Sequence, residues 1–201
     1  MLSTFGICLS SALAAFAFAR MRFRGNEVLF MILLATLMIP SQVTIIPTFT
    51  IMKSLGWINT HNPLIVPNFF GAAFQVFLLR QYYRTIPQDL IDAATMDGAG
   101  FLRIFWSIFV PLGMPALATV AVLSFLGSWN DLFNSVIFLD SQNQMPVVLG
   151  LMYLRGRAGT TGGRMGVLMG GALIGTIPML ILYFMGQKYF VQGIARTGLK
   201  G

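Results

Sequence analysis

Side chains able to perform acid–base or nucleophilic chemistry are few in this chain of 201 residues. It has six acidic residues, one histidine (His61) and one cysteine (Cys8). A single histidine leaves both a histidine metal cluster and a Ser/His/Asp triad hard to complete, and Cys8 lies in an apolar run where burial keeps a thiol inert. The sequence also lacks the Gly-x4-Gly-Lys-Ser/Thr pattern of an ATP-binding P-loop. We therefore expect no catalytic residue and no metal site.

The segment 80–103 has the clearest polar and apolar patterning. Thr85 and Gln88 have the spacing of a capping box, with Thr85 at the N-cap. This pattern predicts a helix over about Gln88–Met96, which Gly98 and Gly100 end or allow to bend.

One face of this predicted helix is narrow, because Ala93, Ala94 and Gly98 have small side chains or none. Such a face suits insertion into a groove of another protein, where Asp92 would offer a carboxylate to a lysine or arginine. The alternative is an interfacial helix that lies on a membrane and connects two spans. The sequence leaves both interpretations open.

The elements that must position this helix are membrane spans. Apolar residues make up 56% of the chain and charged residues 9%, with a mean hydropathy of +0.77, whereas soluble domains carry about a quarter charged residues. A helix needs roughly 20 apolar residues to cross the hydrocarbon core. We predict an all-α, polytopic transmembrane bundle with five spans, in the charge-free runs Met1–Ala19, Val28–Met52, Asn62–Leu79, Ile104–Asn130 and Met165–Gln187. The uncharged segment 141–154 is too short to span and predicts a loop or a surface helix.

The basic residues predict the orientation. Those expected in the cytoplasm by the positive-inside rule are Arg20, Arg22, Arg24, Arg80, Arg84, Arg103, Lys188, Arg196 and Lys200. Those expected outside are Lys53, Arg155, Arg157 and Arg164. The net charge of +7 then reflects topology in a lipid bilayer, and no nucleic acid partner is expected. The C-terminus is cytoplasmic in this scheme, and the first span begins abruptly at the outer face, which predicts that an upstream span is missing.

The residues from Asp92 onward resemble a known motif. Asp92-Ala93-Ala94-x3-Gly98-x9-Ile108-x-Val110-Pro111 is similar to the EAA loop of bacterial ABC-importer permeases, commonly written EAA-x3-G-x9-I-x-L-P. Aspartate replaces the glutamate, and valine replaces the leucine. Flanking stretches resemble the maltose-permease-like carbohydrate branch, among them Ser128-Trp129-Asn130-Asp131 and Gln187-Lys188-Tyr189-Phe190-Val191.

The resemblance implies a single permease domain over residues 1–201, part of a six-span subunit whose first span precedes Met1. It implies a bacterial cytoplasmic membrane, a second permease subunit, an ATPase dimer that holds ATP and Mg²⁺, and an extracytoplasmic solute-binding protein. The loop 80–103 would contain the coupling helix that docks in the ATPase. The coupling residues implied are Asp92, Ala93, Ala94, Asp97, Gly98, Ile108 and Pro111. The tail 193–201 would approach the ATPase.

Uncharged polar residues in the spans are candidates for a sugar pathway. They are Gln42, Thr44, Gln75 and Asn130, with Ser41 and Ser128 beside them. Hydrogen bonding between helices is the alternative role for each. The predicted spans hold no acidic or basic residue, which argues against ion coupling, although a facilitator or secondary transporter that works without ATP stays open as the alternative function.

Overall fold

The computed structural model describes residues 1–158 and 165–197, and this part of the chain is helical without a strand. The predicted outer-loop residue Arg164 and residues 198–201 of the predicted cytoplasmic tail lie outside it. The α-helices are α1 (Leu2–Arg20), α2 (Asn26–Ala35), α3 (Ser41–Ser54), α4 (Asn62–Ile65), α5 (Ala73–Arg84), α6 (Gln88–Met96), α7 (Phe101–Ile104), α8 (Val110–Leu112), α9 (Met114–Trp129), α10 (Leu132–Phe138), α11 (Val147–Ala158) and α12 (Met165–Thr197). Short 3-10 turns at Thr36–Met38, Val66–Phe70 and Gln142–Gln144 and a π-helical turn at Phe105–Phe109 complete the helical elements.

The described helices confirm an all-α fold able to cross a membrane. Three stretches are long and apolar enough to span: Leu2–Arg20, Asn62–Arg84 and Met165–Phe184. Two bent pairs raise the number to as many as five if each pair is one span. The prediction of five spans therefore agrees with the fold, but the second and fourth are not continuous helices.

The second predicted span breaks at Pro40. Asn26–Met38 and Ser41–Ser54 meet there at 99°. Proline has no N–H to continue a helix and disfavours helical backbone in the preceding residue, and Ile39 is accordingly extended at φ −85° and ψ 114°. An uncharged run of sufficient length thus does not establish a straight helix.

The fourth predicted span bends by 79° at Gly113, between Phe101–Leu112 and Met114–Trp129. A Cβ atom added at Gly113 would lie 2.5 Å from the Phe109 carbonyl oxygen and 2.7 Å from Cε1 of Tyr83. The Tyr82 hydroxyl donates a hydrogen bond to the Leu112 carbonyl over 3.1 Å. The bend therefore depends on the absence of a side chain at residue 113 and on the paired tyrosines of α5.

Helix α1 lies at the centre of the bundle and packs against α5 and α9. Its Phe16 ring centroid is 5.5 Å from that of Phe105 and 4.7 Å from that of Phe109, and Tyr83 packs edge-on against Phe109 at 5.2 Å. The buried core residues around these rings are Ala12, Ala15, Val76, Leu79, Ile86, Ile104 and Val120. This aromatic layer joins α1, α5 and the π-helical turn into one packed unit.

Helices α11 and α12 pack through small residues. Cβ atoms added at Gly171 and Gly175 would lie 2.8 Å from Leu151 and 3.2 Å from Val147, so these two glycines allow α11 to approach closely. The indole of Trp129 donates to the Gly175 carbonyl over 3.1 Å and ties α12 to the end of α9. Trp129 is thus part of a helix–helix contact.

Helix α5 continues through Arg84, so the first residues of the segment 80–103 are helical rather than loop. Arg80 is only 3% exposed, and its guanidinium lies 2.6 Å from Oε1 of Glu27 and 3.8 Å from the centroid of the Phe30 ring. Nε of Arg80 also donates to the Phe18 carbonyl over 3.2 Å. These partners make burial of the arginine tolerable and connect α1, α2 and α5 at one end of the bundle.

Candidate functional site

Helix α6 covers the predicted residues, Gln88–Met96, but the predicted capping box at its start is wrong. Pro87 occupies the N-cap with extended backbone, at φ −57° and ψ 139°. The Thr85 hydroxyl instead donates to the Tyr82 carbonyl in the last turn of α5, over 2.8 Å. Because the helix begins two residues later than a Thr85 cap requires, Gln88 is its first residue and is free for other contacts.

Arg20, the last residue of α1, holds the start of α6 in place. Its guanidinium donates to Oε1 of Gln88 over 2.9 Å, to the Tyr83 carbonyl over 2.7 Å and to the Ile86 carbonyl. Nε2 of Gln88 in turn donates to the Asp92 carboxylate over 3.0 Å. Asp92 is therefore connected to α1 through one glutamine, and hydrogen bonds of a charged donor such as Arg20 are stronger than neutral ones.

The end of α6 is a Schellman motif. Gly98 has φ +77°, its N–H donates to the Thr95 carbonyl over 2.9 Å, and the Ala99 N–H donates to the Ala94 carbonyl over 2.9 Å. A Cβ atom at Gly98 would meet nothing within 4 Å. The backbone conformation, and not a lack of space within this chain, therefore requires glycine at this position.

The two alanines of the motif face different ways. Ala94 packs with Ile91 against the core of the bundle, whereas Ala93 is exposed. Met96, also on the outer face, is 88% exposed. Asp92 is exposed at the side of this face. One face of α6 is thus packed on the bundle, and the opposite face is exposed in the part of the chain that the structure describes.

The second half of the motif meets the first in a groove of about 200 Å³. Ala94 and Asp97 line this groove from α6, and Ile108 lines it from the π-helical turn, with Arg103 at its side. Pro111 lies outside the groove, exposed in α8 just before the bend at Gly113. The motif residues separated by nine positions in sequence therefore come together between α6 and the start of the bent pair.

A polar cavity of about 340 Å³ lies at the other end of the bundle. Gln75 and Ser128 line it, together with His61, Ser124 and Asp131. Ser124 is 3% exposed, and neither its hydroxyl nor Nδ1 of His61 has a hydrogen-bond partner among the described residues. The Asp131 carboxylate accepts from the Asn134 side chain over 2.9 and 3.1 Å. The cavity therefore offers mostly uncharged donors and acceptors.

The other candidates for the solute pathway do not line this cavity. Gln42 and Thr44 are exposed on α3, and the Thr44 hydroxyl donates to the Ser41 carbonyl over 3.0 Å. Asn130 is exposed at the end of α9, and its side chain donates to the Leu126 carbonyl over 2.9 Å. Of the sequence-derived candidates, the structure brings only Gln75 and Ser128 together.

Two contacts between distant segments were not predicted from the sequence. Arg20 was predicted only to lie at the cytoplasmic side, although an arginine directly after a span and before a helix turn could have indicated a contact with a neighbouring helix end. Asn59 has φ +61°, and its side chain bonds to residues 140 and 141 through Oδ1 and Nδ2, which joins the two loops at the cavity end. Within the described part of the chain, no group of three or more His, Cys, Asp or Glu residues could hold a metal ion.

The chain is similar to known membrane permeases. The chain is 36% identical over 192 residues to the probable ABC transporter permease protein YurM of Bacillus subtilis. This match covers 95% of this chain and 63% of YurM. It is 32% identical over 199 residues to the melibiose/raffinose/stachyose import permease protein MelC of the same organism, covering 97% of this chain and 70% of MelC. The chain thus spans slightly less than two thirds of YurM.

A solved structure shares the fold. It is a chain of a bacterial ABC transporter involved in the import of the acidic polysaccharide alginate, with a TM-score of 0.79 and 29% identity. The match covers 94% of this chain and 71% of the other. The model of the family described as the inner membrane component of binding-protein-dependent transport systems matches residues 6–196. This multi-pass chain therefore belongs to the binding-protein-dependent transport system inner membrane component family.

Proposed function

We propose that this chain is a membrane-spanning permease subunit of a bacterial ABC importer for a carbohydrate or a related solute. The observation that carries the proposal is that Arg20 holds the start of α6 to the bundle while the outer face of α6 is exposed. Family membership and the carbohydrate solutes in the names of MelC and of the alginate transporter support it.

In this proposal α6 is the coupling helix, and its exposed face, Ala93 and Met96 with Asp92 beside it, docks in a cleft of a separate ATPase dimer. ATP and Mg²⁺ bind to that dimer. When ATP closes it, α6 moves, and because Arg20 ties α6 to α1, the bundle moves with it. A second permease subunit supplies the other half of the pathway, and an extracytoplasmic binding protein delivers the solute.

The positions of the basic residues support the proposed orientation. Arg20, Arg22, Arg24, Arg80 and Arg84 line one cleft beside α6. The positive-inside rule assigns this end to the cytoplasm and the polar cavity to the outer side. The C-terminus of α12 is then cytoplasmic.

The polar cavity is the proposed contact of this subunit with the solute. Gln75 and Ser128 line the cavity with an amide and a hydroxyl, and the buried Ser124 hydroxyl and Nδ1 of His61 beside them have no hydrogen-bond partners among the described residues. Buried polar groups favour a ligand that can hydrogen-bond to them, as the hydroxyls of a sugar do.

The test is capture of the ATPase by tagged chain in mild detergent, comparing Asp92→Lys with Asp140→Lys. Both changes reverse an exposed carboxylate, but Asp140 lies at the cavity end. A cation at residue 92 faces the cation expected on the ATPase and should weaken capture by ~1–2 kcal/mol, about five- to thirtyfold. Equal capture by both variants and wild type would refute the coupling role of α6. Wild-type chain that captures no ATPase, with uptake that persists without ATP, would instead indicate a facilitator.

The solute contact is tested separately by uptake. Gln75→Ala should raise KM for the solute severalfold, because an amide in the cavity is lost, whereas Gln42→Ala on the exposed face of α3 should leave KM unchanged. An effect of Gln42→Ala alone would refute the assignment of the cavity.

A further inference from the structure

A cleft lies beside the start of α6 and is bordered by Gln88 and Asp92. It has a volume of about 1110 Å³ and is formed by the end of α1, the α1–α2 turn, the first turn of α2, the end of α5 and the first two turns of α6, with Phe101 of α7. The charged residues that line it are Arg20, Arg22, Arg24, Arg80, Arg84, Glu27 and Asp92. Five positive charges against two negative ones leave it strongly basic.

Four of these five arginines form no ion pair within the described part of the chain. The contacts already described occupy Arg20 and Arg80, whose partners are carbonyl oxygens, Gln88 and Glu27. Arg22, Arg24 and Arg84 are exposed, and none of them forms a salt bridge in the part of the chain that the structure describes. The Nε atom of Arg20 is buried and also has no hydrogen-bond partner among the described residues.

The turn that presents these arginines has a defined conformation. Gly25 has φ +88°, and the Asn26 side chain donates to the Met21 carbonyl over 2.8 Å. Arg22 and Arg24 are therefore held on a short turn between two helices rather than on a long flexible loop.

Apolar surface continues from the cleft along α2. Phe23, on the turn, is 41% exposed, and Val28, Leu29, Met31 and Ile32 of α2 are each about half exposed or more. A ligand with an anionic head and a hydrocarbon tail could contact the arginines with its head and the apolar face of α2 with its tail. An anionic peptide segment would match the arginines but not the apolar face of α2.

We propose that this basic cleft binds the phosphate head group of an anionic phospholipid, with its acyl chains along the exposed face of α2. Basic pockets between transmembrane helices at the cytoplasmic surface bind such head groups. The lipid would lie next to Arg20 and Gln88, the residues that hold α6. The proposal goes beyond the proposed function, since it requires only that the chain is inserted in a bilayer.

The experiment is native mass spectrometry of the purified chain in detergent micelles that contain phosphatidylglycerol and phosphatidylcholine. The wild type should retain phosphatidylglycerol preferentially. The Arg22→Gln/Arg24→Gln variant should lose this preference by about fivefold for each arginine, about 25-fold in total, at low ionic strength. Salt should reduce the wild-type preference, because the arginines are exposed.

Arg103→Gln is the matched control, since Arg103 is an exposed arginine of α7 outside the cleft. An unchanged lipid preference in the double variant, or an equal loss in Arg103→Gln, would overturn the proposal. Loss of ATPase capture by the double variant with unchanged lipid binding would also overturn it and identify the cleft as a protein contact. Because lipid retention is measured on the chain without the ATPase, failure of this proposal is distinguishable from failure of the proposed function.

Discussion

The glycine at the end of α6 is the most informative position to change. Gly98 has φ +77° with open space around it, so a substitution there is opposed by backbone conformation alone within this chain. Left-handed backbone costs a residue with a Cβ atom about 1–2 kcal/mol. Gly98→Ala should therefore unwind the last turn of α6 or reduce its occupancy by about five- to thirtyfold, whereas Gly98→Asn should cost less because asparagine visits this conformation more readily.

The matched control is Gly100→Ala. Gly100 lies two residues further along, has φ −73° and also has nothing within 4 Å of an added Cβ atom. Alanine is compatible with that backbone, so this variant should behave as the wild type.

The assay is ATPase capture by detergent-solubilised chain, titrated to obtain an apparent Kd. We expect capture to weaken in the order wild type, Gly100→Ala, Gly98→Asn and Gly98→Ala, with the first two close together. Equal Kd values for Gly98→Ala and wild type, or an equal defect in Gly100→Ala, would refute the conformational explanation. A defect that appears in Gly98→Leu but not in Gly98→Ala would favour a purely steric role, in which the partner requires a narrow helix face.

Three further predictions concern the contacts around α6 and the bends, with thermal unfolding of the solubilised chain as the common measurement. Arg20→Met should lower stability by ~2–3 kcal/mol and weaken ATPase capture, because several charge-assisted hydrogen bonds are lost. Lysine at this position, in Arg20→Lys, should keep only part of the stability and of the capture, because it lacks the planar fork of donors of arginine. Full stability and capture in Arg20→Lys would contradict this reasoning. Gly113→Ala should destabilise the chain by ~1–3 kcal/mol, because the added methyl group overpacks the bend. Tyr83→Phe removes a hydroxyl that has no partner among the described residues and should change stability by less than about 0.5 kcal/mol. A larger loss in Tyr83→Phe than in Gly113→Ala would contradict the packing at the bend. Arg80→Met should lower the free energy of unfolding by ~1–3 kcal/mol. The loss is moderate because the Glu27 side chain, which loses its partner, is 67% exposed and stays hydrated. An unchanged stability would show that the ion pair is energetically unimportant.

Local features of this protein could be predicted well from the sequence. The apolar runs predicted spanning helices because a bilayer forces the backbone to hydrogen-bond within its own segment. The residues of α6 were also predictable, since its end at Gly98 is determined by the neighbouring backbone and needs no distant contact. The start of α6 was predicted at the right residue for the wrong reason, because Thr85 bonds backward to α5 instead of forward to the helix.

Contacts between distant segments could not be predicted. The sequence placed Gln42 and Gln75 in the same class of candidates, but only Gln75 lines the cavity, because that depends on how α5 packs beside α1 and α9. The pairing of Arg20 with Gln88 joins residues 68 positions apart, for which spacing along the chain carries no signal.

Hydropathy and short motifs thus predicted that the chain crosses a membrane and that a helix covers Gln88–Met96, because these follow from composition and local backbone preferences. Tertiary structure alone decided the bend at Gly113, the burial of Arg80 and which face of α6 stays exposed. Each of these depends on which side chains meet across the bundle: Gly113 bends against Tyr83, and Arg80 is buried because Glu27 and Phe30 lie next to it.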